Sequence, residues 1–378
     1  MTPVAGIALG GLAAAAGLHA AATVALRRLR RTSRGEVDSP FAPGVSILKP
    51  LCGLDEGLED NLESFYRLDY RRYEIVFSFA DDTDAAYPIA RRVADRHPDV
   101  PSTFVFDERD HGGNAKIDRL AAAVARARHR LILCSDGNVR VRPDFLARAT
   151  SHFASSRVGL VSHLFVATGA VSLASRVESL YLNGCLQPGT AAVAGILRVP
   201  CVVGKSILVS RPALDAIGGF PSLENFLAED FLIGRQVRRA GYGIVLSADL
   251  IETTEIRKKL PAVFARHRRW AIMRTRLAGP LYLFEIFSGP LPWAAAAAAA
   301  GAWAPATFLL ALRYGLEGAL AASLGRRLAT SDWLLLPVRD LFAAGVFLSG
   351  LIGGPLSWRG RPLRIGRETR ILRPADRT

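Results

Sequence analysis

The 378-residue chain is both apolar and basic: 50% of its residues are hydrophobic, and 48 Lys and Arg against 34 Asp and Glu give a formal net charge of +14. Basic charge alone would suit a nucleic-acid-binding protein, but such proteins seldom contain long uncharged apolar stretches. A protein that faces anionic lipid headgroups accounts for both properties. The length accommodates one domain with membrane segments or two modest soluble domains.

The cysteines are scattered along the chain and none forms a CxxC pair. This scatter argues against a disulfide framework or a zinc site and predicts reduced cytoplasmic thiols. The residues are Cys52, Cys134, Cys185 and Cys201.

Residues 4–26 contain no Asp, Glu, Lys or Arg. At about 1.5 Å per residue they are long enough to cross a hydrocarbon core of roughly 30 Å. An arginine-rich stretch, residues 27–34, follows directly. A cleaved signal peptide carries its positive charge before the apolar run, so charge after it favours a retained anchor. The positive-inside rule then places the N-terminus outside and residue 27 onward in the cytoplasm.

A second apolar region extends with breaks from about residue 281 to about residue 356. Residues 281–312 are interrupted by prolines and predict either one kinked span or a re-entrant element followed by a span. Residues 315–324 and 334–356 are weaker candidates because charged residues interrupt them. The Arg-rich tail after Trp358 is expected in the cytoplasm, which requires an even number of spans in this region.

Between residues 34 and 276, short apolar runs alternate with helix-like stretches about every 30 residues, the length of a βαβ element. The pattern predicts an α/β fold with a parallel or mostly parallel sheet covered on both faces. The predicted strands are 45–48, 73–79, 103–106 and 131–134, and the predicted helices are 58–66, 85–96, 117–128 and 230–240.

Polar residues follow three of the predicted strands. Lys49 and Pro50 come after the first strand, Asp81 after the second, and Asp136 with Asn138 after the fourth. In open α/β sheets, ligands bind at the carboxyl ends of the strands. These side chains are therefore expected to surround a nucleotide.

Six segments, in chain order, resemble the GT-A domain of the ceramide glucosyltransferase family. They are VSILKPLCG at 45–53, Asp81, GNAKIDRL at 113–120, SDGNVRV at 135–141, LAEDFL at 227–232 and RHRRW at 266–270. The last matches the family's (Q/R)xxRW motif, and SGPLPW at 288–293 and WRGRPLR at 358–364 match the membrane tail more loosely. Related hopanoid sugar transferases share the outline, but VVGKS at 202–206 and AED at 228–230 are closer to the ceramide branch.

This resemblance implies a membrane-anchored inverting glycosyltransferase that moves glucose from UDP-glucose to the primary hydroxyl of ceramide, giving a β-linked glycolipid. The partners expected are a UDP-sugar, a lipid acceptor and membrane lipids, with no nucleic acid. The implied regions are an anchor with basic flank at 1–33, the GT-A domain at 34–276, a membrane region at 277–358 and a basic tail at 359–378. Ala-rich segments and a preference for Arg over Lys suggest a bacterial source, hence a multi-pass inner-membrane protein with a cytoplasmic catalytic domain.

For the donor, the resemblance implies that Asp81 recognises uracil and ribose and that Lys49, Pro50 and Lys116 flank the nucleotide. Asp136 would hold Mg²⁺ or Mn²⁺ against the diphosphate, since hard cations take oxygen ligands. The sequence here is Asp-Gly-Asn. The amide oxygen of Asn138 can ligate a cation but brings no charge, and the alternative is that Asn138 only makes a turn. The alternative for Asp81 is a solvated acidic turn that caps the next helix.

For catalysis, the resemblance implies that Asp230 is the general base, which must come within about 3 Å of the attacking hydroxyl. The alternative is an acid that complements the macrodipole at a helix N-terminus, where a desolvated pocket would have to offset the lowered pKa. Glu229 is its possible partner or substitute.

Arg266 and Arg269 are three residues apart and share a helix face, where guanidinium groups suit phosphate oxygens. Trp270 beside them would stack on the acceptor or line the donor pocket. The alternative is that the basic segment at 257–276 binds anionic lipid. Gly204 and Lys205 are expected near the acceptor or the donor sugar, and they do not form a P-loop because Val199 stands where that motif needs glycine.

Rival functions remain open at this stage. The acceptor could be diacylglycerol or a hopanoid, and a processive polysaccharide synthase also has an RW motif, although normally with more spans. A non-catalytic scaffold is disfavoured by the intact carboxylates Asp81, Asp136 and Asp230. Nucleic-acid binding is disfavoured because the basic residues flank apolar segments without regular aromatic interleaving.

Overall fold

The structure, a computed structural model, describes residues 2–108, 113–358 and 361–372. It contains two compact units. The sheet unit comprises Leu29–Thr168 and Arg198–Thr254, and the helical unit comprises Met1–Arg28, Gly169–Leu197 and Glu255–Thr378. The regions expected from hydropathy are continuous segments, whereas each compact unit is assembled from separate parts of the chain.

Helices occur throughout the described chain. They are α1 (Pro3–Thr32), α2 (Leu58–Tyr66), α3 (Tyr87–Asp95), α4 (Ala115–Val124), α5 (Phe145–Ser151), α6 (Leu173–Tyr181), α7 (Gln187–Gly195), α8 (Arg211–Asp215), α9 (Glu229–Arg239), α10 (Leu260–Ala278), α11 (Leu291–Ala299), α12 (Trp303–Ser323) and α13 (Thr330–Ile352). Short 3₁₀ segments are His152–Ala154, Phe220–Leu223, Gly279–Ser288 and Arg367–Thr369, and Leu182–Leu186 is a π-helical turn.

Within the residues described, the sheet unit has one eight-stranded sheet in the order β3-β2-β1-β4-β7-β6-β8-β5. Its strands are β1 (Val45–Pro50), β2 (Tyr73–Phe79), β3 (Ser102–Phe106), β4 (Leu131–Ser135), β5 (Val139–Arg140), β6 (Val158–Thr168), β7 (Ser206–Ser210) and β8 (Gly243–Thr254). The helical unit has a two-stranded ribbon of β9 (Leu356–Trp358) and β10 (Arg361–Leu363).

The neighbours β3-β2-β1-β4 are all parallel, and so are β6 and β8, whereas β7 is antiparallel to both β4 and β6. The predicted α/β class with a mostly parallel sheet is confirmed. Strand 73–79 and helix 58–66 coincide with β2 and α2, and the other predicted elements lie within four residues of the observed ones. No strand is predicted after residue 134, so β5 to β8 are additions.

The core of the sheet unit explains why its first strands read as continuous apolar runs. Residues of β1 and β2 are buried on both faces, as in sheets covered by helices. Leu48 and Val76 pack with Ile117 and Leu120 of α4, and α9 adds Ile233 to the same cluster. Helices α4 and α9 are therefore fixed against the sheet, and so are the polar residues at their first turns.

In the helical unit, α1 and α13 are long and apolar enough to cross a membrane, judged by length and composition. The stretch predicted at 281–312 is not one helix, because Gly279–Ser288 is 3₁₀, α11 begins after Pro290, and a break separates α11 from α12. The weaker candidate at 315–324 coincides with the second half of α12, and the candidate at 334–356 begins in α13 and extends past the end of that helix at Ile352.

The charged residues that interrupt α12 and α13 are buried and paired with one another. Glu317 accepts hydrogen bonds from Arg313 at 2.7 Å and from Arg339 at 2.5 Å. Asp340 accepts one from Arg339 and another from the hydroxyl of Tyr314, both at 2.8 Å. Pairing of this kind is how apolar helices tolerate ionised side chains.

Candidate active site

Asp136 lies directly after β4, at the carboxyl end of the parallel strands. Strand β7 runs antiparallel beside β4 and pairs Ser206 with Ser135, so the residues before β7 reach the same edge of the sheet. The backbone N–H of Asp136 donates to the carbonyl oxygen of Lys205 at 3.2 Å. The topology therefore brings the Gly204-Lys205 loop to the turn after β4. Lys205 comes 67 positions after Asn138 of that turn in the sequence.

Lys116 is the central cation of this site. Its Nζ lies 2.9 Å from Oδ1 of Asp136 and 3.2 Å from Oε1 of Glu229, and it donates to the carbonyl oxygen of Gly204 at 3.2 Å. The side chain belongs to the first turn of α4, which Asn114 caps by accepting hydrogen bonds from two backbone N–H groups. One ammonium group thus joins the end of β4, the loop before β7 and the start of α9.

Electrostatics keep this cluster ionised. Burial alone would raise the pKa of Asp136, but the ammonium groups of Lys116 and Lys205 outweigh it and lower that pKa to about 2. Burial likewise opposes the charge of Lys116, yet Asp136 and Glu229 raise its pKa. Lys116 and Asp136 are therefore both charged at neutral pH.

Lys205 contacts both residues expected to ligate a cation. Its Nζ lies 3.3 Å from Oδ2 of Asp136 and donates to Oδ1 of Asn138 at 2.8 Å. Groups of three or more His, Cys, Asp or Glu side chains suited to a metal do not occur in the described part of the chain. Asp136 thus offers one carboxylate, and Mg²⁺ commonly binds through one or two carboxylates with the remaining ligands from phosphate and water. The residues fit a cation shared with a diphosphate.

Asp230 lies in the first turn of α9 and is held by two backbone N–H groups. Gly204 donates to its Oδ2 at 3.0 Å, and Phe231 donates to its Oδ1 at 2.8 Å. A Cβ atom at position 204 would lie 2.9 Å from that Oδ2, so glycine is required for this approach. Burial, and then the negative charge of Glu229, raise the pKa of Asp230 to about 6. A helix-terminal acid without a special role would have a low pKa.

Two residues predicted to flank the nucleotide, Lys49 and Pro50, are buried beneath the turn that contains Asp136. Lys49 is fully buried. Its Nζ donates to Ser135 Oγ and to the carbonyl oxygen of Asp136, both at 3.1 Å. The same atom lies 3.4 Å from the ring centroid of Phe65. Burial lowers the pKa of Lys49. Pro50 is the last residue of β1 and is also buried. These contacts give Lys49 a role in shaping the Asp136 turn.

Asp81 lies in the turn after β2. Its Oδ1 accepts hydrogen bonds from the backbone N–H, at 2.8 Å, and the hydroxyl of Thr83. These bonds lower the pKa of Asp81. The neighbouring Asp84 accepts from the N–H of Gly53 at 2.9 Å, which joins this turn to the loop after β1. The acidic turn is thus structured at the carboxyl end of β2, and the carboxylate of Asp81 stays ionised.

The RHRRW segment belongs to α10 of the helical unit. Arg266 forms an ion pair with Glu178 of α6 and another with Glu255, whose Oε2 is 2.8 Å away. Both carboxylates are buried, and despite burial they raise the pKa of Arg266. His267 is buried and contacts the same Glu178 oxygen at 2.7 Å. Arg266 was expected to hold phosphate, but here its guanidinium neutralises two buried acids.

Arg269 and Trp270 lie further along α10. Arg269 donates from Nη1 to the carbonyl oxygen of Ser357 at 3.2 Å. The ring of Trp270 meets the His267 ring edge-on at a centroid distance of 4.9 Å, and the Arg266 guanidinium lies 5.8 Å from the indole centroid. Packing inside the helical unit therefore orients all three members of the (Q/R)xxRW motif.

Sequence reasoning left several participants unassigned. For Glu229 the sequence leaves open whether it is the partner or the substitute of Asp230, and the structure pairs it with Lys116, where its charge raises the pKa of Asp230. Asn114 stood inside the quoted GNAKIDRL segment, where an Asn one residue before a helix is an N-cap signal. Glu178 and Glu255 gave no sequence signal, because they meet Arg266 only through tertiary packing.

The architecture matches a solved nucleotide-sugar transferase. The structure of the mannosyltransferase PcManGT from Pyrobaculum calidifontis, in complex with GDP-Man and Mn²⁺, has a TM-score of 0.59 at 21% sequence identity and covers 92% of this chain and 99% of that chain. The fold is therefore the predicted GT-A glycosyltransferase fold. The chain belongs to glycosyl transferase family 21, whose family model matches residues 11–371.

Curated relatives support the resemblance drawn from the motifs. The chain is 28% identical over 247 residues to ceramide glucosyltransferase 1 of Caenorhabditis elegans and 29% identical over 245 residues to ceramide glucosyltransferase 3 of that organism. The matched stretches are 65% and 64% of this chain and 53% of each relative, so the match spans about half of their length.

The pairing of Arg266 leads to a stability prediction. Arg266→Met leaves two buried carboxylates without their shared cation, and breaking a buried ion pair costs about 3–5 kcal/mol. We expect a clear decrease in the thermal unfolding temperature of the detergent-solubilised protein. Arg269→Met, which removes a hydrogen bond to a backbone carbonyl, serves as the control and should unfold at a temperature close to the wild type. Equal effects of the two substitutions would contradict the role given to Arg266.

Proposed function

We propose that the chain is an inverting glycosyltransferase that transfers glucose from UDP-glucose to the primary hydroxyl of ceramide and forms a β-linked glycolipid. Membership of family 21 and the ceramide glucosyltransferases among the relatives support this proposal. The observation that carries it is the site itself: a carboxyl group with a pKa of about 6, Asp230, lies beside a lysine–carboxylate cluster at the carboxyl ends of the strands.

The reaction is a single displacement. Asp230 in its ionised form accepts the proton of the lipid hydroxyl, and the hydroxyl oxygen forms a bond to C1 of glucose. The bond between C1 and the diphosphate oxygen breaks, and UDP leaves with the electron pair. Attack opposite the leaving group inverts the α-linked donor to a β-linked product. A base whose pKa is about 6 is ionised at neutral pH and is still basic enough to take up a proton.

The leaving diphosphate needs positive charge, and we assign this task to Lys116 and Lys205. Both ammonium groups contact Asp136, and both carry protons that phosphate oxygens can accept. Asp81 binds uracil and ribose, and Lys49 with Pro50 fixes the Asp136 turn. Preorganised positive charge at a departing phosphate is a large contribution to catalysis.

The (Q/R)xxRW motif completes the donor and acceptor contacts in this proposal. Arg269 contacts the diphosphate, Trp270 lines the donor pocket or stacks on the acceptor, and Arg266 positions them through its buried ion pairs. The Gly204-Lys205 loop faces the sugar, because its backbone already holds Asp230.

A divalent cation, Mg²⁺ or Mn²⁺, is part of the proposal. Asp136 would hold it together with the diphosphate, and Asn138 is a second oxygen donor nearby. When bound, such a cation neutralises negative charge that develops on the leaving group. The Mn²⁺ in the structure of the archaeal mannosyltransferase supports this assignment.

We further propose a multi-pass arrangement in the bacterial inner membrane. Helices α1 and α13 have the length and apolarity for it, and the arginines in the last turns of α1 favour a cytoplasmic position for the sheet unit. That side gives access to cytoplasmic UDP-sugars and to lipids in the adjacent leaflet.

The proposed activity is tested by lipid mass spectrometry of cells that express the wild type or Asp230→Asn, with labelled UDP-sugars supplied. We expect hexosyl-ceramide from the wild type and a decrease of about 10²–10⁴-fold with Asp230→Asn, since a general base contributes that much. Equal product from both proteins would rule out Asp230 as the base. Labelled diacylglycerol or hopanoid would identify a different acceptor, and no labelled lipid from the wild type would refute transferase activity.

The raised pKa of Asp230 predicts the pH dependence of kcat/KM. The rate should increase as pH rises through about 6, because the base acts only when it is ionised. Glu229→Gln removes the negative charge that helps to raise this pKa, so the acid limb should move to lower pH. Glu229→Asp keeps the charge and is the control. An acid limb that stays in place or moves to higher pH with Glu229→Gln would contradict the electrostatic coupling.

A further inference from the structure

The helical unit contains a cavity of about 640 Å³ that has no role in the chemistry described above. Four sets of residues line it: residues 169–171 before α6, α6 with the π-helical turn after it, the end of α12 with the loop that follows, and the first turn of α13. Cavities that bind small molecules have volumes of about 300–1,000 Å³ and combine apolar walls with a few polar groups. The volume is sufficient for a lipid headgroup with the first carbons of its chains.

The walls of this cavity are of two kinds. Leu180, Leu320 and Leu324 provide apolar surface, and Leu328 adds to it from the loop after α12. Val171, also part of the lining, is 61% exposed, so apolar surface continues to the outside of the unit. An acyl or alkyl chain can therefore extend from the cavity along this surface.

The lining contains equal numbers of basic and acidic side chains. They are two arginines, Arg176 and Arg326, and two acids, Glu317 and Asp332. Arg176 donates to Asp332 Oδ1 at 2.6 Å, and Glu317 is held by the arginines of α12 and α13. A lining of zero net charge with many hydrogen-bonding groups suits a neutral polar head, whereas an anionic headgroup would need excess positive charge.

The polar end of the cavity is built by an irregular helix. The π-helical turn Leu182–Leu186 places Asn183 and Gly184 in the lining, and such turns often occur at functional sites. A Cβ atom at Gly184 would lie 2.8 Å from both Arg339 Nη1 and Glu317 Oε2. Because position 184 is glycine, the buried side chains of Arg339 and Glu317 can lie against the π-helical turn that contains Asn183.

The position of the cavity, at the first turn of α13, also favours binding of a lipid. Ser331 and Asp332 belong to the first turn of this candidate membrane helix. The ends of a membrane-spanning helix lie near the boundary between hydrocarbon and water. Arg27, which directly follows the apolar stretch of α1, donates to Ser323 Oγ at the end of α12 at 2.6 Å, so the cavity lies at the end of these helices that is assigned to the cytoplasmic side. A cavity at that level can receive polar groups of a lipid while its chains stay in the bilayer.

We propose that this cavity binds the amide group and the first chain carbons of the neutral acceptor lipid, whose primary hydroxyl stays outside the cavity. Asn183 and Glu317 are its hydrogen-bonding partners, and the leucines contact its chains. The inference rests on the proposed function, because that function supplies a lipid as the acceptor.

A second groove in the same unit provides a matched control. It has a volume of about 750 Å³ and lies between α6, α10 and α13. Its lining is mostly apolar, with Phe264, Leu341 and Phe342, and also includes Lys258. It offers apolar surface without a compensated polar end. Filling this groove should therefore leave recognition of the lipid head unchanged.

The kinetic experiment compares Leu328→Trp and Asn183→Ala with Leu341→Trp in the control groove. The first two substitutions should raise the KM for ceramide about tenfold, and the KM for UDP-glucose should stay within about twofold. Leu341→Trp should leave both constants near the wild-type values. Unchanged ceramide KM in both cavity variants, or an equal rise with Leu341→Trp, would overturn the proposal.

A photolabelling experiment separates this inference from the proposed function. A photoreactive ceramide is added to the full-length protein without any UDP-sugar, and the labelled peptides are mapped. We expect label at Leu180 and Leu328, lost in Asn183→Ala, and weak label from a photoreactive phosphatidylglycerol. Such labelling in a protein that transfers no glucose would keep the cavity assignment and discard the activity. Ceramide label confined to Leu341 and Phe342, or equal label from phosphatidylglycerol, would overturn the assignment.

Discussion

The rest of the site depends on the contacts of the Lys116 ammonium group. It lies between the carboxylates of Asp136 and Glu229 and also holds the carbonyl oxygen of Gly204. Without that charge, acidic groups brought to one edge of the sheet would raise the pKa values of one another. Lys116 therefore keeps the pKa of Asp136 low, and it limits the rise that burial and Glu229 cause in the pKa of Asp230.

The same rule governs the helical unit, where ionised groups are buried in matched pairs. Arg266 compensates Glu178 and Glu255, and Glu317 is compensated by two arginines. Buried pairs of this kind add little net stability, but removing one partner is costly. They fix which side chains face the cavity and how the RHRRW helix is oriented.

Local sequence patterns were sufficient for part of this description. The alternation at 73–79 predicted β2, and a carboxylate after the apolar run of β4 predicted the position of Asp136. What could not be predicted depends on long-range pairing. Antiparallel insertion of β7 brings Lys205 to Asn138, and burial turns Lys49 from an expected donor contact into a support for the Asp136 turn. One sequence does not show which distant residues become neighbours.

The central claim is that this lysine–carboxylate cluster is where the nucleotide diphosphate binds. The most direct test is an experimental structure of the full-length protein with UDP and Mg²⁺. We expect diphosphate oxygens within about 3 Å of the Lys116 ammonium, with the metal on Asp136 and the Asp230 carboxylate open to the acceptor side. A nucleotide bound elsewhere, with the contacts of Lys116 to Asp136 and Glu229 unchanged, would contradict it.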